Sequence, residues 1–279
     1  MHTPGTLYLV ATPIGNLDDI SYRAVKILAD VDFIAAEDTR VTIKLLNHLA
    51  IKKPLVSYYE HNSKYSGEKI VSRILDGENC ALVSDAGTPG ISDPGQDLIR
   101  LCMQAEIKLN VIPGPCAAVC AFGLSGFPAG RFTFEGFLST SRKSRFEHLE
   151  MLKAETRAMI FYEAPHKLLR TLKDVKKTFG DDRQISISRE MTKIYEQTLR
   201  LTLSEACEYF EKNAPRGEFV LVIEGATVLN NEVSLEKAVE LANDNIKKGL
   251  SVKDSIKAAA AQTGVSKNKL YDIIVSEGR

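Results

Sequence analysis

Residues able to do chemistry gather in four short stretches of this chain. The densest is Ser84-Asp85-Ala86-Gly87-Thr88-Pro89-Gly90-Ile91-Ser92-Asp93-Pro94-Gly95, with three glycines and two prolines in twelve residues. Glycine lets backbone amides approach a ligand, proline stiffens the loop, and the Asp85 and Asp93 carboxylates can accept from hydroxyls or an amine. A plain surface turn seldom needs twelve such residues. Ala35-Ala36-Glu37-Asp38-Thr39-Arg40 joins two carboxylates, a hydroxyl and a guanidinium, which would serve a salt-bridged pair as well as a catalytic group. Thr12-Pro13-Ile14-Gly15-Asn16-Leu17-Asp18-Asp19-Ile20-Ser21 is a third loop, in which Asp18 or Asp19 is expected to cap the next helix. Ile112-Pro113-Gly114-Pro115-Cys116-Ala117-Ala118 opens a run of small residues suited either to a flat ligand or to tight helix packing. Neither G-x-G-x-x-G nor G-x-x-x-x-G-K-[ST] occurs, so a P-loop cradle for phosphate is excluded by pattern.

Each stretch follows an apolar run that reads as a strand: Thr6–Ala11, Asp32–Ala36, Cys80–Ser84 and Lys108–Ile112. Amphipathic segments at Ser21–Leu28, Ser63–Leu75 and Gly95–Ala105 lie between them, the signature of a parallel sheet with crossover helices. In such sheets ligands bind beyond the carboxyl ends of the strands, where the four stretches fall. After residue 128 longer runs take over (Ala158–Tyr162, Gln184–Arg189, Tyr195–Leu203, Glu218–Ile223), predicting a mixed or antiparallel second sheet. The polar stretch Gly225–Asn231 precedes three predicted helices, Ser234–Lys248, Ser251–Ala261 and Ser266–Val275, the last two spaced as a helix-turn-helix. The expected division is an N-terminal α/β domain at 1–120, a second α/β domain at 121–228 and a helical domain at 234–279.

Composition narrows the class. The 279 residues carry 36 Lys+Arg against 36 Asp+Glu, which argues against a basic sleeve for nucleic acid. Without an 18-residue apolar run or a signal-like start, no membrane span is expected and a cytoplasmic location is the simplest reading. The five cysteines show no Cys-x-x-Cys pair and no neighbouring histidines, so they read as reduced, buried small hydrophobes, with no metal site. Locally the charge is uneven. Ser139-Thr140-Ser141-Arg142-Lys143-Ser144-Arg145 reads as a flexible basic loop in which Arg142, Lys143 and Arg145 could meet phosphates. From Ser234 onward eight Lys+Arg face six Asp+Glu, with Lys267 and Lys269 on the presumed last helix.

Taken in order, Val10–Asp19, Ala35–Arg40, Ser84–Gly95, Phe161-Tyr162-Glu163-Ala164-Pro165-His166 and Arg189-Glu190-Met191-Thr192-Lys193 resemble one bacterial family, the ribosomal RNA small subunit methyltransferases I, within the tetrapyrrole methylase superfamily. The resemblance implies a two-domain α/β fold, S-adenosylmethionine as methyl donor in the cleft between domains, a homodimer, and the 2′-hydroxyl of a cytidine in the decoding region of 16S ribosomal RNA, in the 30S subunit, as substrate. Carried over residue by residue, it assigns donor contacts to Pro13, Ile14, Asp85, Gly87, Thr88, Cys116, Ala117, Tyr162 and Met191, with Gly217-Glu218-Phe219 near the adenine. Cys116 falls where many relatives have serine. In the family the helical tail is an appendage that helps dock ribosomal RNA. Asp85, Glu37 and Glu163 are the carboxylates that could deprotonate the ribose, and Arg40 and Arg189 could clamp the substrate. Two other readings compete: a methylase of the same fold acting on a tetrapyrrole or a protein side chain, and a non-catalytic RNA-binding assembly factor.

Overall fold

The computed structural model describes residues 3–59, 63–93, 95–128, 130–227 and 231–277. Pro94 of the densest loop, 228–230 of the polar stretch and Arg279 lie outside them. The chain forms two compact units, Met1–Gly225 and Ala226–Arg279.

The first unit begins with a five-stranded sheet whose strands are all parallel: β1 (Thr6–Val10), β2 (Phe33–Ala36), β3 (Leu55–Ser57), β4 (Cys80–Val83) and β5 (Lys108–Ile112), in the order β3-β2-β4-β1-β5. Helices α1 (Tyr22–Asp30), α2 (Thr39–His48), α3 (Ser63–Leu75) and α4 (Gly95–Gln104) are the crossovers. β2 and β4 are buried from end to end, as their unbroken apolar sequences require of strands covered on both faces. Phe33, Leu82 and Leu98 pack in one layer, and Ile34, Ala81 and Leu28 in the other. The sequence missed β3, which has only three residues, and α2. Capping also differs from expectation. Ser21 accepts from the Ala24 amide to start α1, while Asp18 and Asp19 sit in a short 3-10 turn capped by Asn16.

The second sheet is mixed, as the alternating runs predict. It contains β6 (Phe132–Phe137), β7 (Ala158–Glu163), β8 (Gln184–Arg189), β9 (Gln197–Thr202) and β10 (Phe219–Ile223) in the order β6-β7-β10-β8-β9, with only β6 and β7 parallel. Helix α5 (Ala117–Ser125) follows β5 of the first sheet but packs Ala118 and Ala121 on Ile160, Val220 and Val222 of the second, so its small residues serve close packing. Helices α6 (Arg142–Leu152), α7 (Pro165–Phe179) and α8 (Leu203–Lys212) cover the opposite face through Leu149, Leu172 and Phe210. The predicted flexible basic loop is therefore half helix. Helical periodicity turns Arg145 and Leu149 inward together. Arg145, 3% exposed, pairs with Asp174 at 2.8 Å and donates to the carbonyls of Ser139 and Thr140. It is not available to a phosphate.

In the second unit α9 (Asn231–Lys247), α10 (Val252–Thr263) and α11 (Lys267–Glu277) surround their own core of Ala238, Ala242, Ile256, Ala259, Leu270 and Ile274. Ser251 caps α10 through the Asp254 amide, and Gly264 ends it in the left-handed conformation. Helix α9 starts three residues before the expected Ser234. All five cysteines are free, but Cys120 is exposed and Cys116 half-buried, against the expectation that all would be interior. Among the described residues, no helix is long and apolar enough to cross a membrane.

Candidate active site

Four loops at the carboxyl ends of the parallel strands are tied to one another. The Thr12 amide donates to the Gly87 carbonyl at 2.9 Å and the Gly87 amide returns to Thr12 at 3.1 Å, while the Thr12 hydroxyl donates to the Ser84 carbonyl. Gly87 has φ of +85°, a conformation that glycine adopts without the steric cost a Cβ imposes. The Thr88 hydroxyl reaches the Pro115 carbonyl at 3.1 Å, and the Asp38 amide donates to an Asp85 oxygen at 3.0 Å. Asp93 accepts from the amides of Gly90 and Gly95, which closes its own loop, and it is also among the residues that line the cleft.

Above this floor lies a cleft of about 660 Å³ whose opposite wall comes from the second sheet. Ile14, Glu37, Asp85, Gly87, Thr88, Cys116 and Ala117 line one side, and Tyr162, Glu163 and Met191 the other. Tyr162 is fixed by rings on two sides, Phe134 at 5.1 Å and Phe137 at 5.5 Å between centroids, and its hydroxyl accepts from the Ala118 amide. Burial pushes that phenol up to about 12. Met191 is held between Glu190 and Thr192, both at positive φ, of which the β-branched Thr192 is the more strained. The strain is countered by a polar knot: Lys193 Nζ lies 3.0 Å from Glu190 and 2.8 Å from Glu218, and the Glu218 amide donates to Glu190.

The three candidate carboxylates differ sharply. Both oxygens of Glu163 are engaged, one by the Ala164 amide at 2.9 Å and the other by the Thr171 hydroxyl at 2.5 Å. Glu37 is raised above the ordinary carboxylate range by burial and then by the nearby charges of Asp85 and Asp93. Asp85 is raised as well, chiefly by burial. Pro13, Arg40 and Arg189 lie outside the lining. The Arg40 side chain is 88% exposed and held by Asp38 at 2.6 Å. Arg142 and Lys143 on α6 and Lys267 and Lys269 on α11 are exposed. Residue types alone missed Ile91, Ser92, Phe137, His166 and Val220, which also line the cleft. For His166 a signal existed, because it follows the carboxyl end of β7 by three residues, where ligands of such sheets collect. Among the described residues no group of three or more metal-capable side chains comes together.

Comparison with known proteins shows the family to which this fold belongs. Residues 6–207 match the family described as Tetrapyrrole (Corrin/Porphyrin) Methylases. The Synechocystis sp. protein named Ribosomal RNA small subunit methyltransferase I is 46% identical over 270 residues, covering 96% of this chain and 97% of its own length. The Thermotoga maritima protein of that name is 48% identical over 221 residues, covering 79% of this chain and 99% of its own. A solved uroporphyrin-III C-methyl transferase from Thermus thermophilus, complexed with S-adenyl homocysteine, shares the fold at a TM-score of 0.57 and 13% identity, covering 79% of this chain and 97% of that one. With the loop-and-cleft geometry above and near full-length identity of this order, the chain belongs to the tetrapyrrole methylase family, in the branch of the ribosomal RNA small subunit methyltransferases I.

Proposed function

We propose that this chain is an S-adenosylmethionine-dependent methyltransferase that methylates the 2′-hydroxyl of a cytidine ribose in the decoding region of small-subunit ribosomal RNA. The observation that carries the reading is the near full-length similarity to proteins named for that class of activity, together with a cleft suited to the donor. A volume of about 660 Å³ lies within the range of small-molecule sites. Apolar walls at Ile14, Tyr162 and Met191, the backbone of Gly87 and two carboxylates suit a ligand that is flat at one end and cationic at the other. When bound, S-adenosylmethionine supplies an activated methyl group on a sulfonium whose charge disappears on transfer.

The chain's own residues do the rest. Gly87, Thr88, Cys116 and Ala117 lie along one side of the cleft, and Asp85, fixed by the Asp38 amide, supplies the carboxylate for the cationic groups of the donor in this reading. Holding the ribose oxygen in line can contribute about 7–11 kcal/mol. The ribose hydroxyl must also give up its proton. Glu37 and Asp85 keep carboxylate capacity in the cleft and hold protons more tightly than ordinary carboxylates, so they, and not Glu163, are the bases we assign. Arg142, Lys143, Lys267 and Lys269 contact RNA phosphates in this reading, and the enzyme acts as a cytoplasmic homodimer on the assembled 30S subunit.

The test uses labelled donor and assembled small subunits lacking the modification. Label should enter one cytidine and make its 3′ phosphodiester resistant to alkali. Donor binding without that protection would sink the substrate assignment. Methyl incorporation into a tetrapyrrole or a protein would redirect it.

A further inference from the structure

The outward face of α7 carries charge that the cleft chemistry does not use. Its inward positions, Leu168, Leu172, Val175 and Phe179, are core residues of the second sheet. Its exposed positions at the complementary spacing are His166, Arg170, Lys173 and Lys177, every one a basic side chain. The acidic residue of this helix, Asp174, is drawn off this face to the buried Arg145. Among the described residues no carboxylate is recorded within ion-pair distance of Arg170 or Lys177, whereas Lys173 meets Glu211 at 2.7 Å. The row starts in the cleft, because Pro165 and His166 line it. It ends at Phe146 of α6, whose ring lies 5.5 Å from the Lys177 ammonium and 5.7 Å from the Arg142 guanidinium.

We propose that this face of α7 is the track on which the RNA strand leaving the cleft is held, phosphate by phosphate, as far as Phe146. The proposal rests on the RNA-methyltransferase reading above and locates the substrate's path across the protein. The eleven rises from His166 to Lys177, at about 1.5 Å each, span about 16 Å, the axial length of roughly five phosphates of one strand in a duplex. The chemistry favours RNA over an anionic membrane surface. A helix lying on a membrane needs an apolar face free to sink into it, and the apolar face of α7 is spent on the core. The sequence drew attention to Arg142–Arg145, of which Arg145 is buried. On the neighbouring helix Arg170 and Lys177 have no carboxylate within ion-pair distance among the described residues, and they continue from the exposed Arg142.

The experiment compares the wild type with Arg170→Glu/Lys177→Glu, the milder Arg170→Ala/Lys177→Ala, and a control, Lys26→Glu/Lys52→Glu, on exposed positions of the first sheet's side. Donor binding by calorimetry, binding of a decoding-region RNA fragment across a salt series, and KM and kcat for methylation of small subunits are measured. For the α7 reversal we expect unchanged donor affinity and melting temperature, at least tenfold weaker RNA binding, a salt slope shallower by about one to two, and raised KM with kcat largely kept. The alanine pair should shift the same quantities less, and the control should leave them unchanged. Wild-type RNA affinity and KM in the reversed variant would overturn the track, as would lost binding to vesicles of anionic lipid with RNA binding intact. A wild type that binds donor but neither binds nor methylates RNA would instead overturn the underlying reading.

Discussion

Glu37 and Asp85 both line the cleft floor, where burial makes ionisation of each costly and the charge of Asp85 adds to the burden on Glu37. Glu37 is raised from its ordinary 4.5, so the native chain holds that proton more tightly than the unfolded chain. Folding then takes up a proton in the window above pH 4.5, and this residue's contribution to stability declines as pH rises through the window. Glu37→Gln should accordingly melt higher than the wild type at neutral pH, the difference closing below about pH 4.5 in thermal scans. The same variant should bind a cationic donor more weakly at neutral pH, because it lacks the charge of one of the two carboxylates proposed to suit the cationic end of that ligand. Arg145 makes the contrasting case. Removing one partner of a buried ion pair costs about 3–5 kcal/mol, so Arg145→Ala should lower the denaturant midpoint strongly while leaving the salt slope of RNA binding untouched. A variant that stayed stable but lost RNA affinity would restore the residue to the docking surface. Its true role was illegible from sequence: the partner, Asp174, lies 29 residues away on another helix.

Among the elements, legibility followed how local the determinants are. The parallel strands and their Gly- and Pro-rich ends were readable because a strand buried on both faces must be apolar throughout and a loop at positive φ asks for glycine. Strand β3 was not, since three residues carry no period, and its place beside β2 is a tertiary fact. Glu163 looked like a base because its engagement by Thr171, eight residues on, depends on how α7 packs over β7. The Glu190–Lys193–Glu218 knot was likewise hidden, although it sets Met191. Gly217, at φ +84°, is its weak point, since a Cβ there would stand 2.5 Å from Glu190 Cγ. Gly217→Ala should therefore displace Met191 and weaken donor binding about tenfold, in line with a left-handed penalty of roughly 1–2 kcal/mol. Calorimetry alongside a melting curve checks this. Unaltered affinity would mean that the knot does not position Met191.

At the scale of the molecule, the described residues of the helical unit form a core of their own. A chain ending at Gly225 should melt in one cooperative transition and bind donor as the full chain does, with weaker RNA binding. Two transitions would show that the sheets are separable. One transition is expected because α5 leaves the first sheet and packs on the second. That shared helix has a consequence during synthesis. The parallel sheet is complete once β5 emerges, but the wall formed by Glu218, Phe219 and Val220 comes last. Since chains fold from the N-terminus as they are made, a nascent chain carries an open half-cleft until β10 inserts between β7 and β8. Competence thus arrives abruptly with β10, and chains cut short before it should be unable to bind the donor.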